Sequence, residues 1–257
     1  MSASLDVLWL LAKRTWLKTW RRPVVLSFSL VQPLIWMTFF GFLFVRFRPE
    51  VPREGLSYLD FLAPGVSVMT ILFGASQVGV GWIRDLQTGF LPRMLNTPAS
   101  PHALLLGKIL ADVARLLLQA LLVLLLALAL GARLDPAWSA MPMALLCVAL
   151  FALAFACVSS TVALVARTQE VMGTFIHLIN MPLLFTSTAL VPERQMPDWL
   201  AAIASWNPLS PTVDAWRGAL LFEQAPSPMG QVVPLALFTL GSYGVALQAL
   251  RRISRAY

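Results

Sequence analysis

Polar side chains that interrupt long apolar runs are the residues of this sequence that could do chemistry. In the run from 62 to 82, Ser67, Thr70, Gly74, Gln77 and Gly81 recur at intervals that keep them on one helical face. Polar groups inside apolar helices are costly and usually face other helices or a pathway. The chemistry they offer is hydrogen bonding, either to a neighbouring helix or to a molecule in transit, and the spacing leaves both roles open.

A second series lies between residues 171 and 191, where Pro182 also predicts a kink. It consists of Gly173, His177, Asn180, Leu184 and Ser187. Packing and pathway lining again remain as alternatives. A membrane-embedded hydrolase would need a nucleophile beside a base, and no motif sets a serine or cysteine beside His177. We therefore predict no catalytic residue.

Metal and disulfide chemistry find little support. His102 and His177 belong to no HExxH motif or Cys/His cluster, so we predict no metal site. Cys147 and Cys157 lie ten residues apart in one apolar run, which is about 15 Å along a helix. They cannot pair with each other, and we interpret both as small core residues.

The composition indicates that these polar side chains lie on membrane-spanning helices. The chain has 257 residues, of which 58% are hydrophobic and 12% charged, and its mean hydropathy is +0.76. A soluble domain carries about a quarter charged residues, so this is an integral membrane protein of all-α class. We predict six spans near the ~20 residues that a bilayer requires. They cover about Val24–Val45, Leu62–Trp82, Ile109–Leu130, Trp138–Ala166, Val171–Val191 and Gln231–Leu250.

Residues 5–22 predict an amphipathic helix in the membrane interface, ahead of the turn at Pro23. Trp9, Trp16 and Trp20 share one face, and Arg14 and Lys18 lie opposite. The alternative is the cytoplasmic start of the first span. The basic segment is longer than a typical signal n-region, so we expect no cleavable signal peptide.

Basic residues set the orientation. With both termini cytoplasmic, twelve basic residues fall inside and six outside, which satisfies the positive-inside rule. The inner set is Lys13, Arg14, Lys18, Arg21, Arg22, Arg84, Arg93, Lys108, Arg167, Arg251, Arg252 and Arg255. The outer set is Arg46, Arg48, Arg53, Arg133, Arg194 and Arg217. The net charge of +7 therefore reflects topology, and we predict no nucleic-acid partner.

The segment Trp82–Lys108 is polar and rich in prolines between two apolar runs, and it falls on the inner side. A short helix within Gln87–Asn96 would present apolar side chains among polar ones to a partner protein. Pro92 restricts that helix unless it lies in the first turn. The alternative is a solvated loop resting on the membrane surface. Beyond it, Lys108, Asp112, Arg115 and Gln119 share a face of span three and favour anchoring by ion pairs.

The segment 193–228 between spans five and six is too long and apolar for an ordinary loop. Pro197 and Pro211 predict two short helices, interfacial or re-entrant, with Ser210 as a candidate N-cap. The tryptophans Trp199, Trp206 and Trp216 are expected at headgroup level or dipping back into the membrane.

Two stretches, RDLQTGFLPRMLNTPAS and VPERQMPDWLAAIASWNPLSPTVDAWR, together with the six spans, resemble the permease subunits of type-2 ABC exporters. That family includes permeases for drug resistance, nodulation factors and polysaccharides. In its first motif an acidic pair precedes glycine-threonine and a leucine-rich segment ending in threonine-proline. The matching residues are Asp85, Gly89, Leu91, Leu95, Thr97 and Pro98. Gln87, Phe90 and Pro92 depart from it, and Pro92 puts the length of the coupling helix in question.

The resemblance implies a homodimer of this chain with two copies of an ABC ATP-binding subunit, in contact with membrane lipids. ATP and Mg would bind the partner subunit, and this sequence has no GxxxxGK[ST] loop of its own. Residues 84–98 would form the coupling segment, with contacts from Asp85, Gln87, Thr88, Gly89, Phe90, Leu91, Met94, Leu95 and Thr97. Spans one, two and five would line the dimer interface. The pathway would include Ser67, Thr70, Gln77, His177, Asn180, Met181, Phe185 and Ser187.

The cargo expected from this lining is a hydrophobic drug or lipid-like molecule, because its walls would be Met69, Phe73, Met181, Leu184 and Phe185. A polysaccharide or glycolipid is the alternative within the family. An ion-coupled secondary transporter is the alternative from another class, but no internal repeat or midplane acid supports it. Sixteen arginines against three lysines suggest a GC-rich bacterial genome, and hence the cytoplasmic membrane of a bacterium.

Overall fold

The computed structural model describes residues 23–44, 56–97, 100–221 and 228–254, and the regular elements within these ranges are helical. They are α1 (Pro23–Leu43), α2 (Tyr58–Ser76), α3 (Val78–Gln87), α4 (Phe90–Leu95), α5 (Pro101–Ala129), α6 (Met141–Ala166), α7 (Gln169–Phe185), a 3-10 turn (Glu193–Gln195), α8 (Asp198–Trp206), α9 (Leu209–Leu220) and α10 (Pro228–Ser254). The all-α class is confirmed for the described residues. The predicted interfacial helix 5–22 lies outside them.

Four helical stretches of the described residues are long and apolar enough to cross a membrane: Tyr58–Gln87, which joins α2 and α3, Pro101–Ala129, Met141–Ala166 and Gly230–Ser254. They correspond to predicted spans two, three, four and six. The regions of spans one and five hold a shorter apolar helix, Leu30–Leu43, and the 17-residue α7. Span five was predicted to reach Val191, but α7 ends at Phe185, and the chain then turns.

Helix α2 is the centre of the bundle. It packs against α1, α5, α6, α7 and α9, while α10 packs chiefly against α6. The core contains large side chains from α2, α3, α5 and α6, including Phe61, Trp82, Leu116 and Phe151. Cys147 and Cys157 are free thiols buried in this core, as their spacing predicted.

The bundle has two ends, which we name the α4 end and the α8 end. At the α4 end, His102 Nδ1 lies 3.1 Å from Tyr243 Oη, and His102 Nε2 lies 2.8 Å from Arg251 Nη2. At the α8 end, Tyr58 Oη donates to Leu190 O at 3.0 Å, and Arg133 N donates to Asp60 Oδ1 at 2.6 Å. Each end thus brings together segments that are far apart in the chain.

Arg217 organises the α8 end from a buried position in α9. Its Nη2 donates to Thr188 O at 3.0 Å, and its Nη1 lies 3.2 Å from Asp214 Oδ1. The guanidinium carbon also lies 3.7 Å from the ring centroid of Phe61. Because it binds the turn after α7 and the start of α2 together, Arg217 holds the outer segment against the spans.

The three tryptophans of this segment, expected at headgroup level or dipping back into the membrane, differ in burial, and Trp216 is the one that turns inward. It is buried, and its Nε1 donates to Ser67 Oγ at 2.9 Å, so its ring packs inside the bundle. Trp199 and Trp206 are 66% and 90% exposed, as interfacial residues would be in an isolated subunit. The indole of Trp216 is buried because a hydrogen-bond acceptor on α2 pairs with its N–H group.

The prediction that Ser210 caps a helix was also wrong. Helix α9 begins at Leu209, and Asn207 Oδ1 accepts from Leu209 N at 2.9 Å. The same side chain donates through Nδ2 to Leu183 O at 2.7 Å. Asn207 therefore serves the start of α9 and the end of α7, whose last carbonyls have no partner within the helix. Pro197 directly precedes α8, as predicted.

Candidate functional site

The predicted partner-binding segment contains a short helix, α4, at the end of the bundle. Gly89 precedes it with φ of 70°, a left-handed conformation that turns the chain sharply after α3. Helix α4 has six residues and begins at Phe90. Pro92 therefore lies in the first turn, where its missing N–H group costs no helical hydrogen bond. This explains how the helix tolerates the proline that departs from the family motif.

The side chains of this segment divide into two faces. Leu91 is buried, and Phe90, Met94 and Leu95 are partly buried and pack against the core. The exposed positions are Gln87, Thr88, Arg93, Asn96 and Thr97. The apolar side chains predicted to meet a partner thus turn largely toward the bundle. The surface left open to a partner is mostly polar.

An ion pair fixes the foot of α3 to α5. Lys108 Nζ lies 2.6 Å from Asp85 Oδ2, and both side chains are largely buried. The same ammonium lies 3.9 Å from the centroid of the Trp82 ring, which adds a cation–π contact. Asp85 thus positions the helix that carries α4, and at 7% exposure it offers a partner little surface. On α5, Asp112 Oδ1 lies 3.5 Å from Arg115 Nε, the pairing expected from their spacing.

An open groove of about 270 Å³ lies between α1, the junction of α2 and α3, and α7. Three predicted pathway residues line it, namely Gln77, His177 and Met181, and so does the predicted wall residue Phe73. The remaining lining residues are Gln32, Val80, Gln169, Gly173 and Ile176. Among these described residues there is no Asp, Glu, Lys or Arg.

Four other predicted pathway residues lie inside the bundle instead: Ser67, Thr70, Asn180 and Ser187. The hydroxyls of Thr70 and Ser187 donate to carbonyls of the preceding turn, at 2.8 and 2.7 Å. On the same α2 face, a Cβ at Gly74 would collide with the Leu116 side chain. Around Ser67, Thr70 and Gly74 the α2 stripe is therefore a packing face in this conformation. Phe185 is exposed, with its ring centroid 6.4 Å from that of Trp36.

Two groove residues were missed from the sequence. Gln32 is an amide in the middle of the first apolar run, and this alone could have marked it as an intramembrane polar group. Gln169 lies at the start of α7, just outside the predicted span 171–191, and so was not part of the predicted stripe. Both became visible only when α1 and α7 were placed beside Gln77.

Comparisons with known proteins cover most of the chain. The sequence profile described as ABC-2 type transporter matches residues 6–221. The chain is 30% identical over 92% of its length to a putative transport permease, ycf38, of Porphyra purpurea, covering 86% of that protein. It is 31% identical over 82% of its length to ycf38 of Cyanophora paradoxa, covering 72% of it. It is 29% identical over 84% of its length to the daunorubicin resistance ABC transporter permease protein DrrB1 of Streptomyces coeruleorubidus, covering 74% of it.

Proposed function

The chain belongs to the ABC-2 type transporter family as a membrane permease subunit, and we propose that it forms the export pathway for a hydrophobic drug or lipid-like molecule. Family membership implies a separate ATP-binding partner subunit. The proposed assembly is a homodimer of this chain with two such partners, which bind ATP and Mg. The proposed location is the cytoplasmic membrane of a bacterium, with both termini and α4 on the cytoplasmic side.

The groove is the observation that carries this proposal. Its walls are apolar at Phe73, Val80, Ile176 and Met181, and its polar groups are three glutamines and His177. Such a lining would hold an apolar body and bind a few hydrogen-bonding groups at fixed points. In the proposed dimer the exposed faces of α1 and α7 meet the second copy, so that two grooves form one pathway. The resistance permease DrrB1 supports a drug-like cargo by similarity.

A long glycan is a poorer match for the groove. Each sugar hydroxyl that leaves water requires a hydrogen-bond partner, and burying one without a partner costs about 1 to 3 kcal/mol. The groove offers four polar side chains in all. A compact amphiphile with one or two uncharged polar groups satisfies them without leaving groups unpaired.

The cargo is tested by substrate-stimulated ATP hydrolysis in the complex reconstituted with its ATP-binding partner. Amphiphilic drugs and lipids should stimulate hydrolysis, and Gln77→Leu should raise the concentration needed by about tenfold, as expected when one polar contact is lost. Gln248→Leu, the same change at an exposed position of α10 outside the lining, is the matched control. Stimulation by a polyprenyl-linked glycan and by no amphiphile would favour the polysaccharide alternative.

The polar face of α4 is the proposed contact for the ATP-binding partner. Reversing the charge with Arg93→Glu should leave the fold intact, because Arg93 is exposed, and should reduce stimulation of the ATPase about fivefold or more. Arg252→Glu is the matched control, an exposed arginine of α10. A cysteine at position 93 should react with an impermeant reagent only after cells are opened. Labelling in intact cells would reverse the proposed orientation.

A further inference from the structure

The second span is interrupted at Gln77, between the end of α2 at Ser76 and the start of α3 at Val78. Gln77 N bonds Phe73 O at 3.2 Å, but Val80 N bonds Gln77 O at 3.1 Å, one residue short of the α-helical partner. In a regular helix Val80 N would bond Ser76 O, and Gly79 N would bond Ala75 O. The break therefore leaves the Ser76 carbonyl and the Gly79 amide to find other partners.

One hydroxyl on another helix serves both groups. Ser159 Oγ of α6 accepts from Gly79 N at 2.9 Å and donates to Ser76 O at 2.6 Å. Ser159 is fully buried, so water cannot replace it. An unpaired backbone group at membrane depth costs several kcal/mol, and a hydroxyl can donate once and accept as well. Ser159 thus satisfies the Ser76 carbonyl and the Gly79 amide together.

The contact depends on close approach of the two helices. A Cβ at Gly79 would lie 2.6 Å from Ser159 O, 2.7 Å from Ser159 Oγ and 2.5 Å from Met172 Cε. A glycine is required here so that the α3 backbone reaches the serine. The break therefore depends on two residues, Gly79 on α3 and Ser159 on α6.

A second polar group approaches the break from α7. Asn180 is fully buried, and Ser76 Oγ lies 2.9 Å from its Oδ1. Its Nδ2 has no hydrogen-bond partner among the described residues. The amide thus holds a spare donor next to Ser76, whose carbonyl Ser159 occupies. Asn180 lies one turn from His177, which lines the groove.

We infer that Ser159 is a positioning residue for energy coupling: its hydroxyl holds the break in span two, about which α3 and α4 turn together. This rests on the proposed function in one respect, the contact of α4 with the ATP-binding subunit. Force on α4 is taken up at Gln77, because α2 is largely buried among other helices and α3 is joined to it by a break. The contact of Asn180 with Ser76 links the break to α7 and the groove.

The experiment compares Ser159→Ala with Ser160→Ala. Ser160 is equally buried, but its hydroxyl donates within its own helix, to Ala156 O at 2.6 Å. Spin labels at Arg93→Cys and Arg252→Cys report the position of α4 relative to α10 in the nucleotide-free complex, with labelled subunits diluted by unlabelled ones. Ser159→Ala should shift the distance distribution from subunits with a broken span two toward subunits with a straight one. The ratio of straight to broken populations should rise about tenfold. Ser160→Ala should leave it unchanged.

Substrate-stimulated ATP hydrolysis is measured in parallel and should fall severalfold in Ser159→Ala alone. Identical distances in Ser159→Ala and Ser160→Ala would overturn the inference, and so would a shifted distance with normal coupling. Failure of the proposed α4 contact gives a different result: Arg93→Glu would then couple normally whatever Ser159→Ala does to the distance.

Discussion

The α8 end and the α4 end of the bundle are held together by different chemistry. At the α8 end, buried side chains bind backbone carbonyls: Arg217 binds that of Thr188, and Asn207 binds that of Leu183. At the α4 end, the cross-helix contacts join side chains, as in the Asp85–Lys108 pair and the exposed contact of His102 with Arg251. A carbonyl has a fixed place in the backbone, whereas a lysine or histidine side chain can follow a moving partner.

This difference shows where the subunit can change shape. Opening the α8 end would leave a guanidinium and several carbonyls unpaired and buried, which is costly. Opening the α4 end separates side chains that can exchange partners, and the contact of His102 with Arg251 is already exposed. We therefore expect the proposed motion of α3 and α4 to open the α4 end, while the α8 end stays closed around α9.

Among substitutions that test the difference between the two ends, Arg217→Leu at the α8 end should have the largest effect on stability. The loss should lower the free energy of unfolding by about 3 kcal/mol, because the Thr188 carbonyl that Arg217 binds stays buried and the partly exposed carboxylate of Asp214 loses its ion pair. Thermal unfolding of the purified protein measures the effect, with Arg194→Leu, an exposed arginine in the same outer segment, as the control. Equal melting of the two variants would show that the α8 end is not held as described.

Lys108→Met tests the α4 end and should have a smaller effect. Asp85 would lose its contact with the Lys108 ammonium, so we expect a loss of about 2 kcal/mol. Asp85→Asn in the Lys108→Met background should recover some of it, because the buried carboxylate charge is removed. A loss as large as that of Arg217→Leu would contradict the distinction between the two ends.

Trp216→Phe sharpens the comparison at the level of one hydrogen bond. Removing the indole N–H that binds Ser67 should cost about 1 kcal/mol. The cycle with Ser67→Ala isolates the pairwise energy, since Ser67 also donates to Pro64 O. Additive effects of the two substitutions would mean that the contact contributes nothing of its own.

Much of the fold could be predicted from composition and periodicity. The helical class, the apolar runs and the short helix with Pro92 in its first turn follow from local rules. The orientation of α4 could not be predicted, because six residues after a left-handed glycine carry too little periodicity to show which face is buried. Leu91 therefore looked like a contact residue and is part of the core.

Contacts between distant residues account for the other differences. Trp216 looked interfacial because its acceptor, Ser67, lies 149 residues away in the chain. No proline near Gln77 predicts the break in span two. Ser159, which bonds the backbone groups at the break, lies 80 residues from Gly79 in the chain. The Ser67 stripe left both packing and a pathway open, and the position of α5 beside Gly74 favours packing there.

The burial of span two has a consequence for biosynthesis. Within its most apolar stretch, 72% is covered by other helices of the subunit, against 28% for Gly230–Ser254. Most of that cover comes from α5 and α6, which the ribosome makes later. A newly inserted span two would expose Ser67, Thr70 and the open break at Gln77 to lipid. We therefore expect span two to stay beside the insertion machinery until α6 arrives with Ser159.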